Sequence, residues 1–207
     1  KMTITRSALV LGLTALVMSS CIEHEVIPPP SQMVDLSCNF YGEINGTQVE
    51  FTENVLGYSN NSTKAQLILP PPDLSFVQYF SEMSSDQVLT KIKVGMGSVE
   101  WNASLSTSPS LDAYNEFFTS ENLPTYSNDA ISGFEVTFTD AFGSEWKSDE
   151  NRMTTFMDVE FTGVLQESDA DGDYSQFTCN FECYAYNFDF SDSLKIENAV
   201  YRGWFKK

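Results

Sequence analysis

The stretch LSCNFYGEINGTQVEFTE, residues 36–53, decides the fold class. Apolar and polar side chains alternate in both halves, and Val49 and Phe51 fall on one face of the second half. The dipeptide Asn45-Gly46 separates the halves, and it is the strongest short signal for the tight turn of a β-hairpin. The stretch therefore predicts two antiparallel strands, each with one face against a core.

The same period of two recurs along most of the remaining chain. Alternating segments, separated by turn residues, are AQLILP (65–70), QVLTKIKVGM (87–96), FEVTFTDAFGSEW (134–146), FMDVEFTGVLQ (156–166), YSQFTCNFECYAYNFDF (174–190) and SLKIENAVYRGWF (193–205). Within residues 156–166 the pattern predicts one shared face for Met157, Val159, Phe161, Gly163 and Leu165.

A single helix is predicted in SPSLDAYNEFFTSENLP, residues 108–124. Ser110 is suited to the N-cap, and Pro124 lies beyond the predicted end. The residues expected on one helical face are Leu111, Tyr114, Phe117 and Phe118. Many short strands with one short helix predict a mainly β protein with an antiparallel β-sandwich, and a small barrel is the alternative.

Residues 1–20 have the layout of a signal peptide, with Lys1 and Arg6 before an apolar run at 8–18. As a helix this run would rise about 16 Å, roughly half of a ~30 Å hydrocarbon core, which argues against a transmembrane span. Cys21 follows directly after small residues, and this junction resembles the lipobox of bacterial lipoproteins. The resemblance implies that Cys21 is lipidated; the alternative is an ordinary cleavage site beside a cysteine.

Residues 21–34 are predicted to be a tether, and residues 35–207 the folded domain. Three consecutive prolines at 28–30 favour a semi-rigid polyproline segment, which could hold the domain up to ~40 Å from a lipid surface. The chain has one histidine, His24, and it lies in this tether. We therefore interpret His24 as a solvated linker residue.

The chain is strongly acidic. Removing residues 1–20 takes away two basic residues and no acidic one, which changes the formal net charge from −18 to −20. Nucleic acid and anionic lipid surfaces are therefore poor partners for the domain. The simplest interpretation of the negative charge is solubility.

Three further cysteines, Cys38, Cys179 and Cys183, follow the tether. In a strand, Cys179 and Cys183 would lie ~13 Å apart, too far for a mutual disulfide. A disulfide would therefore join Cys38 to one of them, and Cys179 is the first choice because CNF occurs at both positions. The alternative is three buried thiols.

Two segments are candidates for binding chemistry. Asp169, Asp171 and Asp173 alternate in ESDADGDYS and could offer oxygens to calcium, although the spacing also fits a simple hairpin turn. In CYAYNFDF, Tyr184 and Tyr186 lie opposite the face that carries Cys183. Either a bulge turns these aromatic rings into the core, or they form a docking surface for a glycan or a protein.

No catalytic motif is visible. The domain has no histidine, which excludes triads with an imidazole base and disfavours zinc sites, and it has no glycine-rich phosphate loop. Paired carboxylates could hydrolyse glycosides, but with 29 acidic residues no pair stands out. No cofactor is expected apart from calcium at the aspartate segment.

The segments SCNFYGEINGTQVEF (37–51), FEVTFTDAFGSEW (134–146) and DSLKIENAVYRGWF (192–205) together resemble small, uncharacterised surface lipoproteins of Bacteroidota with a β-sandwich domain. The resemblance implies an outer-membrane lipoprotein. Glu23 and Glu25 look like the acidic signal that sends such lipoproteins to the cell surface. The resemblance to these lipoproteins carries over no active-site residue.

These observations predict a lipid-anchored, extracytoplasmic binding or scaffold protein, accessory to a surface complex of the outer membrane. The expected partners are the membrane, through the lipid anchor, and an outer-membrane protein. The alternative is a secreted glycan-binding module or a carboxylate-based glycosidase.

Overall fold

The computed structural model describes residues 33–152 and 154–207. The predicted signal peptide, the predicted lipidation site Cys21 and the predicted tether as far as residue 32 lie outside the described residues. Val34, at the end of the predicted tether, already contacts the domain, because its backbone N–H donates a hydrogen bond of 3.0 Å to Asp169.

Ten strands of the described residues form one antiparallel sheet, and an α-helix lies between the fifth and sixth strands. The elements are β1 (Asn39–Ile44), β2 (Thr47–Thr52), β3 (Tyr58–Leu67), β4 (Ser75–Ser85), β5 (Lys91–Trp101), α1 (Leu111–Ser120), β6 (Phe134–Thr139), β7 (Glu145–Ser148), β8 (Asp158–Ser168), β9 (Asp173–Tyr186) and β10 (Ser193–Lys206). The order in the sheet is β2-β1-β10-β9-β7-β6-β5-β4-β3, and β8 also pairs with β9.

The opening hairpin forms as predicted. Strand β1 pairs with β2 along its whole length, from Asn39 opposite Thr52 to Ile44 opposite Thr47. Asn45 and Gly46 make the turn with φ angles of 48° and 75°. Both angles lie in the left-handed region that a two-residue hairpin turn requires, which explains why Asn-Gly occurs here.

The sheet folds over on itself because its two end strands, β2 and β3, are joined by residues 53–57 alone. Phe51 and Tyr58, on either side of this connection, stack with ring centroids 4.5 Å apart. Farther along, the hydroxyl groups of Ser81 in β4 and Tyr201 in β10 lie 3.0 Å apart. The two halves of the sheet therefore enclose a common core, and the mainly β, antiparallel fold with one helix is confirmed.

Helix α1 covers part of this core with aromatic side chains. Tyr114 and Phe118 are buried against Tyr79 of β4 and Phe205 of β10, and the Tyr114 hydroxyl donates a 2.8 Å hydrogen bond to the Phe205 carbonyl. The Ser110 side chain accepts a hydrogen bond from the backbone N–H of Ala113, which confirms the predicted N-cap.

Two strand assignments differ from the sequence expectation. Strand β4 was not predicted, because serines at 75 and 81 interrupt its inward face of Val77, Tyr79 and Met83. Strand β3 begins at Tyr58, seven residues before the predicted segment 65–70. Its polar first half is stabilised by contacts with β10, such as the 2.8 Å hydrogen bond from Lys206 N–H to the Ser62 hydroxyl.

The predicted inner face of β8 is wrong beyond Thr162, because the strand contains a bulge. Gly163 has φ +59°, and the register with β9 shifts between Thr162 and Leu165. The side chain of Leu165 is therefore 51 % exposed, and Val164 packs against the core in its place. The period-two pattern could not show this, because an inserted residue reverses the facing of those that follow.

Candidate functional site

The aspartate segment forms the turn between β8 and β9. Asp169 Oδ1 accepts hydrogen bonds from the backbone N–H groups of Asp171 and Gly172 at 2.8 and 3.1 Å. Asp173 accepts a 2.7 Å hydrogen bond from the Ser168 hydroxyl. In the described part of the chain, no three histidine, cysteine or acidic side chains are placed to hold a metal ion. The carboxylates of Asp169 and Asp173 thus hold the turn itself.

The predicted disulfide does not form, because Cys38, Cys179 and Cys183 are buried free thiols. Cys38 directly precedes β1, Cys179 and Cys183 lie in β9, and β10 runs between these two strands. A separation of two strands is roughly 10 Å, beyond the Cα limit of about 7 Å for a disulfide. The structure therefore agrees with the alternative of three buried thiols.

The aromatic side chains of β9 do not turn into the core. Cys179, Phe181, Cys183 and Ala185 continue the buried face without interruption, which leaves Tyr184 and Tyr186 half-buried on the outer face. Phe188 and Phe190 follow in the connection to β10 and are largely exposed. This outer face of β9 is the one for which the sequence predicts, as one of two alternatives, a docking surface.

Tyr186, Phe188 and Phe190 line a cleft of about 410 Å³, here named the aromatic cleft. The other lining residues come from the loop before β6, from β7, from the turn after β7 and from the residue after β9, and they are Asn128, Asp129, Glu145, Lys147, Ser148, Asp149 and Asn187. Aromatic rings, carboxylates, amides and one ammonium group therefore meet in one concave surface, as in many binding sites.

Lys147, which lines the cleft, pairs with one exposed and one buried carboxylate. Lys147 Nζ lies 2.6 Å from the Asp129 carboxylate and 3.1 Å from the Glu135 carboxylate, and the Glu135 side chain is 3 % exposed. Burial raises the pKa of Glu135, although Lys147 acts in the opposite direction. Burial would lower the pKa of Lys147, but its bonds to Asp129 and Glu135 outweigh this and raise it.

Beside the cleft lies a 3-10 turn, Glu150–Arg152, which is tied to the lining residue Asn128. Asn128 N–H donates to the Glu150 carboxylate, and Glu150 N–H donates to the Asn128 side-chain oxygen, both at 3.0 Å. Asp149 accepts from the Asn128 amide at 3.1 Å and lies 3.4 Å from Arg152 Nε. These contacts hold the loop before β6 and the turn after β7 as one unit.

Arg152, the last residue of this turn, stacks on two rings that line the cleft. Its guanidinium carbon lies 5.2 Å from the ring centroid of Tyr186 and 4.6 Å from that of Phe190. Such distances are within the range of cation–π attraction. Together with the Asp149 carboxylate, these two rings surround the guanidinium with negative charge and aromatic surface.

The loop before β6 has unusual backbone angles and packs closely against β5. Asp129 and Ala130 have φ angles of 58° and 50°, in the left-handed region that non-glycine residues rarely adopt. A Cβ on Gly97 would lie 1.8 Å from the Ala130 carbonyl oxygen, so glycine is required for this loop to lie against β5. Strained backbone of this kind is often found at binding sites, where surrounding contacts hold it in place.

Of the two aromatic residues that the sequence predicts for docking, Tyr186 lines the cleft and Tyr184 does not. The charged residues Glu135, Lys147 and Arg152 were not singled out. The signal for Lys147 was present, because a hairpin around the turn at Gly143 pairs it with Thr137, beside Glu135. Arg152 could not be found in this way, since no regular pairing positions it.

Comparisons of the chain with family models, with curated proteins and with solved structures gave no match. Over residues 33–152 and 154–207, no helix has the length and apolar character needed to cross a membrane.

Proposed function

We propose that this protein is a lipid-anchored, extracytoplasmic binding or scaffold protein, accessory to a surface complex of the outer membrane, and that it contacts a partner protein through the aromatic cleft. The lipobox-like junction at Cys21 supports the anchor, and the sequence resemblance to surface lipoproteins supports the location. The observation that carries the binding role is Phe188, a phenylalanine whose side chain is 99 % exposed at the rim of a concave site.

The exposed ring of Phe188 gains no burial energy in the free protein, whereas a partner that covers it would remove its apolar surface from water. Large aromatic side chains are enriched where proteins bind one another, and they contribute most when they are buried on binding. An anchor would confine the protein to two dimensions. Confinement raises the effective concentration of a neighbour, so that a weak contact at the cleft suffices.

Photo-crosslinking in intact cells tests this proposal. Phe188 is replaced by benzoylphenylalanine in the full chain, and Phe142, which is 91 % exposed in the turn between β6 and β7, is replaced as the matched control. We expect a discrete adduct with one envelope protein from position 188 and none from position 142. No adduct from 188, or the same adducts from both positions, would contradict the proposal. The mass of the mature protein should include acyl chains on Cys21.

Glycan binding is the second candidate, because the exposed ring of Phe188 adjoins the amide and carboxylate groups of Asn187 and Glu145. Rings that stack on sugar faces, together with side chains that bond hydroxyl groups, could hold a saccharide. A polysaccharide array probed with the full chain separates the candidates. Binding that is lost in Phe188→Ala, or hydrolysis of a polysaccharide, would favour the second candidate.

A further inference from the structure

Two of the rings that line the aromatic cleft already contact a cationic side chain of the protein itself. Arg152 lies between the Asp149 carboxylate and the rings of Tyr186 and Phe190. The same combination recurs elsewhere, since Lys93, Lys195 and Lys206 also lie over aromatic rings. In the described residues, an aromatic ring is thus a common partner for a cation.

The cleft also offers another carboxylate and another ring. Glu145 is the first residue of β7, and Phe188 lies in the turn that follows β9. Both side chains line the cleft. Among the described residues, Glu145 forms no ion pair and Phe188 has no cation or aromatic ring over it, so this pair is open to a ligand.

The charge around the cleft favours a cationic ligand. Lys147, the one ammonium group that lines the cleft, is matched by the two carboxylates of Asp129 and Glu135. Arg152 is matched by Asp149. Glu145 therefore contributes uncompensated negative charge, and the whole chain has a formal net charge of −18. Such a field attracts basic partners and repels acidic ones.

We infer that the aromatic cleft binds a basic segment of a partner protein by receiving an arginine or lysine side chain between Glu145 and Phe188. The inference rests on the proposed binding function and specifies the chemistry of the partner. The incoming cation pairs with the carboxylate of Glu145 and lies against the ring of Phe188, as Arg152 does with Asp149 and Phe190. The partner's basic segment covers the phenylalanine that is exposed in the free protein.

Calorimetric titration of the full chain with hexa-arginine at near-physiological salt tests the inference. Hexacitrulline is the matched probe, because citrulline has nearly the shape of arginine and no charge. We expect hexa-arginine to bind and hexacitrulline to bind at least tenfold more weakly. We expect Glu145→Gln and Phe188→Ala each to weaken hexa-arginine binding by fivefold or more.

Two control variants separate the cleft from the acidic surface as a whole. Phe142→Ala removes an exposed ring and Glu116→Gln an exposed carboxylate on α1, both outside the cleft, and each should change the affinity by less than twofold. Thermal melts should be unchanged in all four variants. Equal binding of the two peptides, or equal loss of affinity in cleft and control variants, overturns the inference.

The crosslinking experiment keeps the two proposals distinguishable. If position 188 captures a partner and hexa-arginine does not bind, the inference of a cationic ligand is wrong, whereas the proposed binding function is supported. If neither crosslinking nor titration gives a signal at the cleft, the binding function itself is wrong.

Discussion

Lys147 Nζ lies 3.1 Å from the Glu135 carboxylate, and this pair joins β7 to the buried outer face of β6 beneath the aromatic cleft. A buried carboxylate is costly unless a cation and hydrogen bonds compensate it. Lys147 supplies the cation, and Asp129 N–H supplies a hydrogen bond. The stability of the cleft should therefore depend on this pair more than on any surface ion pair.

We expect Lys147→Met to lower the free energy of unfolding at pH 7 by about 3–5 kcal/mol, because the buried carboxylate of Glu135 loses its cation. Lys91→Met is the control, because Lys91 is about as exposed as Lys147 but its partner Glu82 is much less buried than Glu135. Its loss should cost about 0–1 kcal/mol. Urea unfolding of both variants measures the difference. Equal losses of unfolding free energy would show that the Lys147–Glu135 pair stabilises the fold no more than the Lys91–Glu82 pair does.

The same variant should have a characteristic pH dependence. The folded-state pKa of Glu135 is raised above its ordinary value by burial, and loss of Lys147 should raise it further. The folded state then holds the proton more tightly than the unfolded state, so stability is fully present below the unfolded pKa and falls as pH rises through the folded pKa. Lys147→Met should therefore be least destabilising near pH 4. A defect that is constant from pH 4 to pH 7 would contradict this.

The contribution of Asp149 to stability should depend on pH in the opposite direction. Burial acts to raise its pKa, but hydrogen bonds from Asn151 and Asn128 and the charge of Arg152 outweigh it and lower the pKa. Its contribution is therefore present above the unfolded pKa and lost as pH falls through the folded pKa. We expect Asp149→Asn to cost about 1–3 kcal/mol at pH 7 and much less near pH 2.5. Urea unfolding at both pH values checks this; a gap that does not narrow in acid would be inconsistent with it.

The three buried cysteines should be unreactive in the folded protein. Burial raises the pKa of Cys38 to about 11 and that of Cys183 to about 12, and it also raises the pKa of Cys179. In a Cys21→Ser background at pH 8, we expect iodoacetamide to modify none of them until urea unfolds the chain. Dithiothreitol should leave the melting temperature unchanged. A lower melting temperature under reduction would mean that a disulfide exists after all.

Gly97→Ala should be strongly destabilising, because its Cβ would lie 1.8 Å from the carbonyl oxygen of Ala130. We expect a loss of about 3 kcal/mol, at the upper end for overpacking. Gly46→Ala is the matched control, since a Cβ there meets no atom within 4 Å and only the φ angle of 75° opposes it. Its cost should be about 1 kcal/mol. Chemical denaturation of both variants compares them; similar losses would argue against close packing of the loop before β6 on β5.

Local patterns predicted the elements whose causes are local. The Asn45-Gly46 turn, the Ser110 N-cap and the alternation of Phe134, Val136 and Phe138 each depend on residues within a few positions of one another. Where a strand is stabilised by residues far away in the chain, the local pattern did not predict it. Strand β4 has serines on its inner face, and the Ser81 hydroxyl is satisfied there by Asn60 and Tyr201, which lie 21 and 120 positions away.

The amino-acid sequence by itself determined a mainly β chain, its first hairpin, its one helix in the described residues, and the aromatic side of the candidate site. Only the tertiary structure decided that β10 separates Cys38 from Cys179, that Glu135 pairs with Lys147, and that Arg152 stacks on two rings of the cleft. The reason is physical. Hydrophobic period and turn geometry act between neighbours along the chain, whereas strand order and the burial of a charge depend on which distant residues the folded core brings together.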